Sequence, residues 1–406
     1  MHNRGTLVVV VLALVTGTLG ACGGSSGGGI RTVQVDYRSD EFAGTFRGYY
    51  PRDVTVRPGM TLKFHQTWSG EPHTVTLGTR VDDLVAPEIL PVVRQSLVTG
   101  VDPTNLAPEV QAAADEFDKS LPFFFGERGI NQAAAQPCFL RTGLPKGEKA
   151  CPDTPQPAFD GRQSYYSSGF IPYLGAQGNE YTMKIADDAK PGTYFYYCAL
   201  HGPDMSGQIT ITKSGKVPSQ ADLNRQAKQD ADQLQKPLLA QFAKERAGNS
   251  EFKGNLAGSG TEQMIETLKG QVNEFTPRTV RAKVGEPVTW TLVGAHTISF
   301  NVPPYVPFYT RKKDGTVVQS ESIYGPRGGW PGRTPPLAET DGPPGSGPPQ
   351  PHVTIDAGKF DGSGGLKSSG IDWQTGDKYS VTFTKPGTYP MACLVHPGMI
   401  GKVVVS

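Results

Sequence analysis

Cys198, His201 and Met205 stand close together in Cys-Ala-Leu-His-Gly-Pro-Asp-Met, and Cys393, His396 and Met399 stand closer still in Cys-Leu-Val-His-Pro-Gly-Met. A thiolate, an imidazole and a thioether are soft to borderline donors. With one further imidazole they make a His2Cys set with a weak axial Met, the donor set of mononuclear type 1 copper. That imidazole is available in matching context each time, as His73-Thr74-Val75 and as His296-Thr297-Ile298. The expected ligand sets are therefore His73, Cys198, His201 and Met205, and His296, Cys393, His396 and Met399, one copper each. Cys is often a small buried hydrophobe and Met a gap filler, so no single residue carries the expectation. Four residue types in one order, twice, do carry it. Zinc could occupy such a set but would bring no redox chemistry.

Such ligands need elements that deliver them. A Cys at the end of a strand, followed by His and Met on the next turn, lets one loop supply three donors, while the distant His comes from a neighbouring strand. The flanking sequence repeats accordingly. Pro51-Arg52-Asp53-Val54-Thr55-Val56 is matched by Pro277-Arg278-Thr279-Val280-Arg281-Ala282 without a gap, and Leu62 and Phe64 are matched by Val288 and Trp290. Apolar residues at alternate positions mark strands buried on one face. Pro191-Gly192-Thr193-Tyr194 before Cys198 corresponds to Pro386-Gly387-Thr388-Tyr389 before Cys393, and each copy closes on an alternating strand, with Ile209 and Ile211 or Val403 and Val405.

On these ligand motifs and duplicated strands, both copies resemble the plastocyanin/azurin family of cupredoxins. The second ligand loop, with two residues between His396 and Met399, is similar to that of the amicyanin group; the first has three between His201 and Met205. The resemblance implies a mainly β chain of two Greek-key cupredoxin β-sandwich domains, copper at one end of each, and one-electron transfer as the activity. It covers the repeated parts and leaves the rest of the chain unexplained. The unequal ligand loops imply two coppers of unequal potential and a preferred direction of transfer between them.

At 406 residues the chain exceeds the size of one ordinary core, and 50 Gly with 35 Pro favour strands joined by turns and long loops. A formal net charge of +1 carries no nucleic-acid footprint. Arg4 precedes an apolar run from Leu7 to Leu19, too short for a comfortable membrane span and suited to a signal peptide. Leu19-Gly20-Ala21-Cys22 resembles a bacterial lipoprotein signal, which implies that Cys22 carries lipid, anchors the protein outside the cytoplasm, and is followed by a Gly/Ser tether. In that oxidising compartment Cys138 and Cys151, separated by twelve residues, are expected to pair as a disulfide.

The expected organisation is a signal peptide (1–21), a lipidated tether (22–30), a first cupredoxin domain (31–217) with an insertion at about 79–165, a helical connector (218–270), and a second domain (271–406) with an insertion at about 303–365. The first insertion reads as partly helical around 83–99 and 107–121, and the second as Gly/Pro-rich and irregular. The connector spaces Leu223, Leu234, Leu238 and Phe242 helically, with a break expected at Pro237.

Two-domain copper enzymes need extra histidines, commonly one immediately before the type 1 Cys. Tyr197 and Ala392 occupy those places, no His-x-His pair occurs, and only His65 and His352 remain once His2 leaves with the signal. His65 alternates outward beside Leu62 and Phe64, and His352 lies in a Pro-rich stretch. An electron carrier is therefore expected rather than an oxidase or nitrite reductase, exchanging electrons with extracytoplasmic redox proteins such as a cytochrome or a copper-dependent oxidoreductase. Copper delivery is the alternative, but it would favour Met-rich tracts, and Met totals 7.

Overall fold

The computed structural model describes residues 29–38, 44–66, 71–85, 108, 112, 121, 125–126, 129–143, 156–172, 179–248, 256–259, 270–304, 306–324, 351–372, 376–396 and 398–406. The expected signal peptide, the lipidated Cys22, Cys151 and most of the helical stretches expected in the first insertion lie outside them.

The first half opens with β1 (Ile30–Arg38), β2 (Gly44–Tyr50), β3 (Asp53–Val56), β4 (Thr61–Gln66) and β5 (Thr76–Leu77), then helix α1 (Thr79–Val85). Two two-residue strands, β6 (Phe125–Gly126) and β7 (Gly129–Ile130), precede α2 (Gln132–Ala135), β8 (Cys138–Leu140) and β9 (Tyr165–Ser167). β10 (Glu180–Lys184), β11 (Gly192–Cys198) and β12 (Gly202–Ile211) complete it. After α3 (Gln220–Gly248) come β13 (Leu256–Ser259), β14 (Gly270–Val272), β15 (Phe275–Thr276), β16 (Thr279–Ala282), β17 (Pro287–Leu292) and β18 (Ser299–Phe300). The chain ends with β19 (Tyr309–Arg311), β20 (Val317–Gln319), α4 (Glu321–Tyr324), β21 (Thr354–Phe360), β22 (Lys367–Ser368), β23 (Lys378–Phe383), β24 (Gly387–Ala392) and β25 (Ile400–Val405).

The protein is mainly β, and its duplication is visible strand by strand. One sheet of the first half runs β10-β4-β1-β2, with β14 added at its edge; its counterpart runs β23-β17-β13-β15, with β21 added beyond β23. The facing sheets run β3-β12-β11-β5-β9-β8 and β16-β25-β24-β18-β22. In each half the chain changes sheet at a proline, Pro51 between β2 and β3 and Pro277 between β15 and β16. Alternation sets the faces: β4 buries Leu62, Phe64 and Gln66, and β17 buries Val288, Trp290 and Leu292. Phe64 meets Tyr196 of the opposite sheet edge-on at 5.5 Å, and Trp290 meets Phe300 at 5.8 Å. Each such side chain contributes about 1.5–3 kcal/mol by leaving water.

The connecting helix differs from expectation. α3 runs through Pro237 as one element. A proline removes a single rung of the ladder, and the rungs on either side keep the helix continuous. It also docks on the first sandwich, burying Leu223, Ala227 and Ala231 along one face, while Gln220 pairs with both backbone groups of Thr32, at 2.7 and 3.0 Å. The second insertion is not wholly irregular: β19 and β20 form a hairpin, and β21 runs parallel to β23. Composition concealed this, because the strands are short runs between Gly/Pro-rich segments.

Candidate metal centre

β11 is a core strand paired antiparallel with β12, and it ends at Cys198, which faces Gly202 across the turn. That turn carries His201, whose N–H donates to the Cys198 carbonyl at 3.2 Å. His73 approaches from the segment before β5, pinned by reciprocal backbone bonds with Ile171 of 2.8 and 2.6 Å. The second half repeats the plan: Cys393 follows β24, and His296 is held by reciprocal backbone bonds with Asp372 of 3.3 and 3.2 Å. Met399 closes its loop, its N–H donating to the His396 carbonyl at 3.1 Å and its carbonyl accepting from Cys393 at 3.0 Å.

The structure brings His73, Cys198 and His201 together, and likewise His296, Cys393 and His396, with the ligand atoms of each trio within 4.8 Å of one another. Met205 and Met399 are both buried. Cys198 and Cys393 are buried free thiols, whereas Cys138 carries no free thiol. His65 lies outward on β4 beside Glu180 and His352 beside Asp377, each apart from both trios.

These donors fit a soft metal ion. His201 Nδ1 is buried with no hydrogen-bond partner. In the second trio His296 Nδ1 and His396 Nδ1 face one another at 3.0 Å, with Cys393 Sγ 3.9 and 3.8 Å from them. Two imidazole nitrogens and a sulfur pointing at one space make a poor hydrogen-bond network and a good ligand set. Burial pushes the Cys198 thiol up, but the adjoining imidazoles of His201 and His73 outweigh it and hold the thiol at about 5. Cys393 is likewise driven well below its ordinary value by His296 and His396, against burial. Thiolate is the ligating form of cysteine.

Three features of the surroundings were not singled out from the sequence. Thr74 Oγ1 accepts the Ala199 N–H at 2.8 Å and Thr297 Oγ1 accepts the Leu394 N–H at 2.8 Å, so the residue after each first histidine ties down the loop after each cysteine. Its recurrence in His-Thr-Val and His-Thr-Ile was the available signal. The others are carboxylate hydrogen bonds made to the first trio. His73 Nε2 bonds Asp36 Oδ2 at 2.6 Å, both fully buried, and His201 Nε2 bonds Glu71 Oε1 at 2.9 Å. Burial opposes protonation of both imidazoles, and the two carboxylates outweigh it and raise them. No carboxylate bonds either ring of the second trio among the described residues. There burial is the leading influence on His296 and lowers it.

No protein-family model and no curated protein matches the chain. Among solved structures it is similar to a purple cupredoxin from Nitrosopumilus maritimus, at 16% identity and a TM-score of 0.17 over 37% of this chain and 98% of that one. The Cu(I) form of a point mutant of amicyanin gives 18% identity and a TM-score of 0.18, over 39% of this chain and 89% of that one. A mutant plastocyanin of fern gives 17% identity and a TM-score of 0.18, over 37% and 99%.

Proposed function

We propose that this chain is a two-site electron carrier, holding one type 1 copper at His73, Cys198, His201 and Met205 and a second at His296, Cys393, His396 and Met399. The observation that carries the reading is the convergence of two His-Cys-His trios, each with a depressed thiol and buried imidazoles, at matched places in a duplicated β-sandwich. Copper bound there would supply a one-electron couple. The protein's own part is to hold the donors in a buried, hydrogen-bonded frame that changes little between oxidation states. That frame suits transfer better than catalysis, since His65 and His352 stand apart from both trios.

The same reading places the protein outside the cytoplasm, tethered by lipid on Cys22, with a Cys138–Cys151 disulfide in the first insertion. Its partners are extracytoplasmic one-electron proteins, a cytochrome or a copper-dependent oxidoreductase. One preparation tests these points together. The full-length chain, recovered from the membrane fraction and loaded with copper, should hold two coppers and show an intense thiolate-to-copper absorption, which Cys198→Ser or Cys393→Ser should each cut by about half. A colourless, zinc-only protein would remove the copper reading, and recovery wholly in the soluble fraction would remove the anchor.

A further inference from the structure

We infer that Asp36 and Glu71 make the first copper site the low-potential member of the pair, so that an electron entering there passes on to the second site; this rests on the copper reading above. The two sites share their nearest donors and differ in what stands behind them. In the first, each imidazole is backed through Nε2 by a carboxylate, Asp36 behind His73 at 2.6 Å and Glu71 behind His201 at 2.9 Å. A carboxylate accepting the outer N–H of a ligating imidazole makes it a stronger donor, and its negative charge in a buried site favours the more highly charged oxidised ion. Both effects lower the potential.

Both carboxylates are held in place by their surroundings. Asp36 lies where the β1–β2 register shifts between Val35 and Tyr37, with φ of 60°, and its Oδ1 accepts the Gly48 N–H at 3.1 Å. A bulge of this kind re-aims a side chain, and here it sends an aspartate inward from a strand that otherwise alternates. Glu71 is fixed by Gln66, whose buried side chain donates to the Glu71 carbonyl at 2.6 Å. The second half replaces each part. Gly294 stands two residues before His296, as Glu71 does before His73; Leu292 ends β17 where Gln66 ends β4; and the strand in β1's place reads Leu-Ala-Gly-Ser.

The sulfur environments differ in the same sense. Cys198 Sγ accepts one backbone N–H, from Thr74 at 3.4 Å, whereas Cys393 Sγ accepts two, from Thr297 and Val395, each at 3.4 Å. Donors to the sulfur withdraw thiolate charge from the metal and favour the reduced ion, raising the second site's potential. Electron balance is simple. An external one-electron donor protein reduces the first site, that electron moves to the oxidised second site, and an external one-electron acceptor protein removes it, with no bond made or broken.

Asp36 and Glu71 are positioning residues, so the test reads a potential. In copper-loaded full-length protein, a redox titration followed at the charge-transfer band should resolve two one-electron steps, and the Cys393→Ser variant should retain the lower one. Asp36→Asn removes the charge while keeping one acceptor oxygen, for either His73 or the Gly48 N–H, and asparagine tolerates a positive φ. It should change the oxidised-to-reduced ratio of the lower step at least tenfold at a fixed potential, a rise of about 59 mV for a one-electron couple, and leave the upper step in place. Glu71→Gln should act in the same direction and stands as the independent variant if Asp36→Asn does not fold, while Glu71→Asp should return the step toward its original value. Two blue coppers whose lower step belongs to the second site, or does not move in Glu71→Gln, would overturn this inference and leave the carrier standing. A protein that takes up no copper would overturn both.

Discussion

A threonine hydroxyl one residue past the first histidine does the same work in both halves, holding the segment between Cys and the second His against the segment that carries the first. In the second half Thr297 Oγ1 also accepts from Ser299, so one oxygen organises two elements beside the second trio. Thr297→Val keeps the shape and removes the acceptor, leaving the buried Leu394 N–H without it. A buried donor left unsatisfied costs about 1–3 kcal/mol. The metal-free protein should therefore lose that much stability in chemical unfolding, and the second site should release copper faster than the first; an unchanged unfolding midpoint would deny Thr297 this role. Tyr194 and Tyr389 form another repeated pair, each donating from its hydroxyl to a carbonyl four residues back, Lys190 or Lys385, at 2.7 Å. The repeated Lys-Pro-Gly-Thr-Tyr made the pairing of these residues legible, though not the bond they make.

Helix α1 shows how an inserted element is attached to a repeated one. Asp82 in its first turn reaches β11 and accepts the Phe195 N–H at 2.7 Å, just upstream of Cys198. Burial is the main influence on its carboxyl and, against the Phe195 bond and with a further rise from Asp83, lifts it from an ordinary 3.8 to about 7. The sign is that of a raised acid. Between those two values the folded state binds more protons at Asp82 than the unfolded state, so this group's contribution to stability is fully present below pH 4 and is lost as pH rises through 7. Asp82→Asn keeps an acceptor for Phe195 and abolishes the titration. It should stabilise the protein at pH 8 by up to about 4 kcal/mol, the equivalent of three pKa units, and change little at pH 3.5. Urea unfolding of both proteins at the two pH values checks this; an equal difference at both would show that Asp82 does not titrate as described. Helical character in this insertion was legible from sequence near residue 83, whereas the tie to β11 spans 113 positions and was not.

At the scale of the whole chain the two insertions meet. Gln132 in α2 bonds both backbone groups of Val317 in β20, each at 2.9 Å, and so serves as a strand partner made from a side chain. Phe170 packs against Tyr309 at 4.8 Å, and one apolar cluster joins Tyr197 and Ala199, beside the first cysteine, to Leu394 and Val395, beside the second. Gln132→Ala would strip Val317 of both side-chain bonds, at a cost of about 1–3 kcal/mol, and would loosen the coupling of the halves. Calorimetry should show unfolding transitions drawn further apart than in the native chain; a superimposable trace would mean that Val317 is held by other contacts. Sequence alone picked out the two His-Cys-His trios, their order, the duplication and the outward place of His65, because these residue types and strand alternation are local and repeat with the chain. Unequal ligand loops already implied unequal sites; only the tertiary structure decided which side chains stand behind each trio. Asp36 falls where strict alternation points outward and turns inward through a bulge, and Glu71, its carbonyl bonded by Gln66, reaches His201 across 130 positions. A bulge and a long-range carboxylate leave no periodic trace in sequence, since both arise from how strands register and loops close once the sheets have packed.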